Sequence, residues 1–357
     1  MEQIIINEEK NIDISLLKKI QGNFSSLKFN IIVFFIILAV LGSVFSIYKN
    51  SQKDEEKNIE KTLASHFPNP TDLRSPNSII PVNAILYKDP FEKIEIKAQA
   101  AYVFDVVSGK VLYEYNKNER LPLASLTKLM TALVATNTVE NDKLVFISTE
   151  DVEKEGNSGL LLGEKWRLND LLDFTLVTSS NDGASAIASA VGAFSLREET
   201  KWQKDPKENF VEKMNEQAET LNFKQMEFFN ESGLDLDETK ASAYGTAQEV
   251  AMLFEYILKN KPEILEATSY QSLKLYSQNN FTHVAKNTNT SINSFPGLLA
   301  SKTGYTDLAG GNLGVVFDSG IGTPIVIVVL GSTFEGRFED VEKLYEASLK
   351  KTSQGMY

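Results

Sequence analysis

Between Phe29 and Tyr48 the chain carries no charged residue, and Ile31–Val40 is almost wholly aliphatic or aromatic. A helix of about 20 residues spans about 30 Å, the thickness of a bilayer core. The pattern predicts a transmembrane helix over 30–48, preceded by a polar tail, 1–29. That tail is long for the leading region of a signal peptide. No A-x-A cleavage site follows, Val44-Phe45-Ser46 being a weak substitute, so an uncleaved anchor is expected. Lys18, Lys19 and Lys28 flank one side, and Lys49, Lys53 and Lys57 the other, so charge does not orient the span. Residues 49–97 are charged, then punctuated by Pro68, Pro70, Pro76, Pro81 and Pro90. They read as a stalk.

A different pattern begins near Ala98. Ala101–Val107 is apolar enough for a strand, Ser108-Gly109 makes a turn, and Val111–Tyr115 returns as its hairpin partner. Helical periodicity covers Leu126–Val139, Leu168–Val177, Gly183–Val191, Phe210–Leu221 and Thr246–Leu258. The charged residues 196–209, with Trp202 and Pro206, read as a surface excursion. Leu298–Lys302, Asn312–Phe317 and Pro324–Leu330 read as three strands between Gly-rich turns, and Phe338–Lys350 as a closing helix. Strands at both ends with helices between predict an α+β fold over 98–352. Its antiparallel sheet is formed by both ends of the domain, flanked by helices, with a helical lobe.

Composition narrows the function. The 357 residues are 42% hydrophobic and 24% charged, enough for a sizeable core. Net charge is −12, with 48 acidic against 36 basic residues, which argues against a nucleic-acid partner. Cys is absent, which excludes disulfides, thiolate metal sites and a Cys nucleophile. The two histidines, His66 and His283, permit no H-E-x-x-H pattern. His66 falls in the stalk and His283 in the polar run 279–293, so both read as exposed surface residues. A Ser-His-Asp triad is thereby nearly excluded, and no G-x-S-x-G elbow exists.

Lysine is the alternative base for a serine nucleophile. Ser125 and Lys128, at i and i+3, share one helical face. A serine at a helix start also meets free N–H groups and the positive dipole end, which support an oxyanion. Ser-x-x-Lys occurs five times in this chain, so the bare pattern is weak. Context separates Ser125: Pro122 lies ahead, and the apolar run Leu129-Met130-Thr131-Ala132-Leu133 follows. Ser-x-Asn occurs four times, and the copy at Ser179-Ser180-Asn181 sits between two helical patterns, where a cap or turn is the plain alternative. Lys302-Thr303-Gly304 ends an apolar strand ahead of Tyr305.

In this order, Ser125-x-x-Lys128, Ser179-x-Asn181 and Lys302-Thr303-Gly304 resemble the penicillin-binding serine transferase superfamily. The nearer resemblance is to the D-alanyl-D-alanine carboxypeptidase family. It is carried by Ala124–Thr131, Ser179–Ala184, Phe229–Asp235, Ser301–Asp307 and Phe334-Glu335-Gly336-Arg337, and covers roughly 98–350.

The resemblance implies a DD-peptidase/β-lactamase-like fold and a peptidoglycan stem ending in D-Ala-D-Ala as substrate. Ser125 is then the nucleophile, Lys128 its base, and Ser179 the proton relay. Asn181, Lys302, Thr303, Gly304 and Tyr305 hold substrate, Lys302 also serving as a second cation beside Lys128. Arg337 resembles a family arginine near the carboxylate pocket; a surface charge on the last helix is the alternative. β-Lactams would acylate Ser125. No cofactor or metal is implied. The substrate lies outside the cytoplasmic membrane, so a single-pass protein with an extracytoplasmic catalytic domain is expected. An endopeptidase would use the same residues. A class A β-lactamase needs a further carboxylate, and Glu164 precedes Ser179, the wrong order. A non-catalytic wall-binding protein is the reading of another class.

Overall fold

The computed structural model describes residues 88–354, apart from 154, 157, 199–203 and 321. The predicted tail, transmembrane helix and most of the stalk lie outside the described residues. Among those described, no helix is long and apolar enough to cross a membrane.

In chain order, β1 is Ala100–Asp105, β2 Val111–Tyr115 and β3 Leu121–Pro122. A 3-10 turn, Ala124–Leu126, leads into α1, Thr127–Thr138. Then come β4 (Leu144–Phe146), α2 (Thr149–Val152), β5 (Lys165–Arg167), α3 (Leu168–Thr178), α4 (Asn181–Glu198) and α5 (Pro206–Thr220). They are followed by β6 (Glu227–Phe228), β7 (Ala243–Gly245), α6 (Ala247–Asn260) and α7 (Glu263–Glu266). A hairpin, β8 (Ser272–Tyr276) and β9 (Thr282–Lys286), precedes β10 (Leu298–Thr306), β11 (Gly310–Asp318), β12 (Pro324–Ser332) and α8 (Gly336–Ser353).

The main sheet has the order β10-β11-β12-β1-β2 and is antiparallel throughout. Both ends of the folded chain therefore meet in one sheet, as the sequence predicts. Every residue of β1 is buried, because helices cover both faces of the sheet. Ala100, Tyr102 and Phe104 join the large core with Leu129, Leu133, Phe254 and Val328. Ala101 and Val103 join a second core with Phe338, Val341 and Leu344 of α8. That second core reaches ahead of Ala98: the Phe91 ring stacks on Tyr113 at 5.4 Å. Buried Asp340 ties the region down by accepting from the backbone N–H of Lys97 and Ala98, each at 2.9 Å.

Two expectations change. At both ends of the charged stretch 196–209 the described residues are helical: α4 runs to Glu198 and α5 begins at Pro206. Asp205 Oδ1 accepts from the N–H of Lys207 and Glu208, and Pro206 opens the first turn. An Asp cap followed by Pro is a helix start, which the charge density obscures. His283 is the second correction: it is not an exposed surface residue. Alternation in β9 turns it inward, against Trp166 and Phe174 at 5.2 and 5.6 Å between ring centroids. Its Nε2 lies 2.8 Å from Oε1 of fully buried Glu164.

Candidate active site

The site forms where the 3-10 turn and α1, the α3–α4 junction and β10 converge. Ala124 enters the 3-10 turn at φ +47°, an uncommon value for a residue with a side chain. Ser125 follows, and Lys128 lies in the first turn of α1. Lys128 Nζ is 3.0 Å from Ser125 Oγ and 2.8 Å from Asn181 Oδ1, and also donates to the Ser232 carbonyl. An ammonium has three protons, and here each meets an acceptor. When one proton leaves, Asn181 and Ser232 still hold two N–H donors, and the lone pair faces Ser125.

Ser179 ends α3 in the left-handed conformation, φ +59°. That bend turns its hydroxyl toward β10, where Lys302 Nζ donates to it at 2.8 Å. Lys302 Nζ also donates to the Thr303 carbonyl, 2.9 Å away. Asn181 begins α4 and donates from Nδ2 to the Glu155 carbonyl. The backbone of β10 then passes tight against the nucleophile. A Cβ on Gly304 would stand 2.9 Å from the Leu123 carbonyl oxygen and 3.2 Å from the Ser125 nitrogen, so a hydrogen alone fits there comfortably.

Arg337, in the first turn of α8, is buried rather than a surface charge. Its Nη1 donates to the Gly304 carbonyl at 2.8 Å, and its guanidinium lies 4.4 Å from the Phe334 ring centroid. Tyr305 is half-exposed at the rim, edge-on to Phe334. Apart from Tyr305 at the rim, the predicted residues thus come together as three hydrogen-bonded groups: Ser179–Lys302–Thr303 and Gly304–Arg337 share β10, and Ser125–Lys128–Asn181 lies beside it where Gly304 approaches Ser125.

Electrostatics suit proton abstraction. Burial lowers the Lys128 amine to about 7, against the pull of the Glu231 and Asp182 carboxylates, which favour its charged form. Lys302 is held well below the ordinary lysine range, first by burial and then by the cations of Lys128 and Arg337. A base near 7 is poised to take a proton at neutral pH.

Sequence reasoning missed three contributors. The Ser232 and Glu155 carbonyls are backbone groups that no side-chain pattern reports. Thr288, whose Oγ1 is 2.6 Å from Thr303 Oγ1, stands in a polar run with no chemical signature. Glu164 takes no part in these groups; it accepts from Trp166 Nε1 and pairs with His283.

The family model for D-alanyl-D-alanine carboxypeptidases of the S11 peptidase class matches residues 87–333. This chain belongs to that family. D-alanyl-D-alanine carboxypeptidase DacF of Bacillus subtilis is 30% identical over 70% of this chain. The match covers 61% of that protein, so the chain aligns with about three fifths of its length. A Mycobacterium tuberculosis D-alanyl-D-alanine carboxypeptidase structure is 27% identical, with a TM-score of 0.62, covering 72% of this chain and 92% of that one. The ampicillin-bound penicillin-binding protein D2 of Listeria monocytogenes is 29% identical, with a TM-score of 0.59, covering 71% and 98%. The helix-flanked antiparallel sheet is thus the architecture of this family of penicillin-binding peptidases.

Proposed function

We propose that this protein is a serine-type D-alanyl-D-alanine carboxypeptidase acting on peptidoglycan stem peptides through an acyl-enzyme at Ser125. The observation that carries the reading is the 3.0 Å contact between Ser125 Oγ and a buried Lys128 whose amine is lowered to about 7.

The carbonyl between the two D-alanines sits over Ser125. Lys128 takes the hydroxyl proton as Oγ bonds to the carbonyl carbon. The backbone N–H groups of Ser125 and Tyr305 receive the oxyanion. The C–N bond breaks, and the proton passes by Ser179, beside Lys302, to the leaving D-alanine nitrogen. Water, deprotonated by the same base, then hydrolyses the ester and regenerates Ser125. Thr303, Lys302 and Arg337 hold the terminal carboxylate, while Asn181 and the edge of β10 hold the stem backbone. Penicillin presents the same carboxylate and a reactive carbonyl, and acylates Ser125 with slow release.

The apolar run 30–48 supports a membrane anchor, and the substrate's location supports an extracytoplasmic catalytic domain. Protease accessibility in intact cells tests that placement: protection of 88–354 until the membrane is opened would overturn it.

The deciding experiment incubates the purified full chain with a penicillin, then measures intact mass and maps the peptide. One adduct on Ser125, absent in Ser125→Ala, together with D-alanine release from a pentapeptide stem, is expected. A folded protein that forms no adduct overturns the acyl-enzyme. An adduct without D-alanine release, but with cross-link cleavage or rapid β-lactam turnover, overturns the carboxypeptidase assignment.

A further inference from the structure

Thr303 has one hydroxyl proton, and carboxylate recognition needs that proton pointed at the substrate. Its neighbour decides where the proton goes. Thr288 Oγ1 lies 2.6 Å from Thr303 Oγ1, a close hydroxyl pair. If Thr303 donated to Thr288, it would offer lone pairs to an anion. If Thr288 donates, the Thr303 proton is free to face the cleft.

The segment that carries Thr288 is anchored on several sides. The Thr288 N–H donates to the Val177 carbonyl, two residues ahead of Ser179, at 3.1 Å. Asn287 Nδ2 donates to the carbonyls of Thr268 and Tyr270 at 2.9 and 3.0 Å. Thr268 in turn bonds Ser301 through its Oγ1 and its carbonyl, beside Lys302 on β10. Asn287 Oδ1 accepts from the Asn289 N–H at 2.9 Å. Upstream, β9 is pinned by the pair between His283 and Glu164. The Thr288 hydroxyl is thereby referenced both to the Ser179 end of α3 and to β10.

We infer that Thr288 is a positioning residue for carboxylate recognition: it donates to Thr303 and aims the Thr303 hydroxyl at the terminal carboxylate of the substrate. The inference rests on the carboxypeptidase reading above. Thr288 acts through Thr303 and takes no part in bond making.

The test compares two activated thioesters, one with a carboxylate on its leaving group and one without. The enzymes are the full-length wild type, Thr288→Val, Thr288→Ser, Thr303→Val and the double variant Thr288→Val/Thr303→Val. Losing a hydrogen bond that serves a charged partner predicts about a tenfold rise in KM for the carboxylated substrate. Its kcat should hold within about threefold, since the bond forms in ground and transition states alike. The carboxylate-free thioester should be unaffected, Thr288→Ser should restore KM, and the double variant should match Thr303→Val alone. Thr288→Ala replaces the Val variant if the latter does not fold. Equal losses on both thioesters would reduce Thr288 to a structural residue and overturn the inference, as would additive losses in the double variant. A wild-type enzyme indifferent to the carboxylate would overturn both this inference and the carboxylate pocket. That failure shows in the wild type, before any variant is compared.

Discussion

The Lys128 amine stands 3.0 Å from Ser125 Oγ, with buried Asp182 among the charges acting on it. Asp182 accepts from Ser158 through Oδ2, while its Oδ1 is buried without a partner. In the proposed mechanism acylation needs Lys128 neutral, so its rate is expected to rise with pH through the Lys128 titration near 7. Asp182 and Glu231 both favour the charged amine, and burial opposes them. Removing one carboxylate lowers the amine further. Asp182→Asn is therefore expected to move the acid limb of the acylation profile down by about one unit. Ser125 labelling by a fluorescent penicillin between pH 5 and pH 8 reads it; an unmoved or raised limb would sink this account of the base.

Gly233 tests how tightly the nucleophile is seated. It takes φ +91°, and a Cβ there would collide with the Ala124 carbonyl and come 2.9 Å from the Ser125 nitrogen. Gly233→Ala must strain its own backbone, by about 1–3 kcal/mol, or push the Ala124–Ser125 turn away. Displacement moves Ser125 off Lys128. The expected result is an acylation rate lowered about tenfold or more, since small misplacements of reacting groups cost at least that. Normal acylation kinetics in this variant would mean the turn has slack.

Legibility in the sequence followed the range of the interactions. The hairpin of β1 and β2, the helices after Leu126 and Leu168, and the three late strands were readable because local periodicity determines them. The candidate site groups were readable because side-chain chemistry at fixed spacing reports itself: Ser125 and Lys128 lie one turn apart. Arg337 was ambiguous, because only tertiary packing on Gly304 and Phe334 distinguishes a buried guanidinium from a surface one. His283 was misread because β9 shows no clean alternation of polar and apolar residues, exposed Val284 standing beside buried Ala285. Its inward turn depends on Glu164, more than a hundred residues away. Thr288 was silent for the same reason: its partner lies on a strand formed later in the chain.

The pair of Glu164 and His283 bears on the β-lactamase alternative to the proposed peptidase. Glu164 is fully buried, holding Trp166 Nε1 at 2.8 Å and His283 Nε2 at 2.8 Å. It is committed to packing β5 against β9 and has no exposed oxygen to activate water. Glu164→Gln is expected to lower Tm, as weakening hydrogen bonds to a buried charge costs about 1–3 kcal/mol. Hydrolysis of the penicilloyl adduct on Ser125 should stay within about twofold of wild type, by the absence of any contact between Glu164 and the site. A hundredfold slower release, followed by mass spectrometry, would assign Glu164 the role of a deacylating base.

Asp173 makes stability fall as pH rises. Burial raises its carboxyl to about 7, and the neighbouring carboxylates of Asp170 and Glu266 push the same way. It borders a small cavity shared with Asn141, Asn169, Glu263 and Glu266. A carboxyl with a raised folded-state value binds its proton more tightly when folded. Below about pH 4, where the unfolded chain is protonated too, it imposes no penalty. The penalty grows through pH 5 and 6 and is complete above about 7. Its upper bound is about 4 kcal/mol, from roughly three units of displacement, and partial solvent access reduces it. Asp173→Asn removes the charge at similar size. Each kcal/mol moves Tm by about 2–4 °C in a domain this large. The variant is therefore expected to melt several degrees above wild type at pH 8, with the gain fading to nothing by pH 4. A gain that is the same at both pH values, or larger in acid, would show that Asp173 is not the group that titrates.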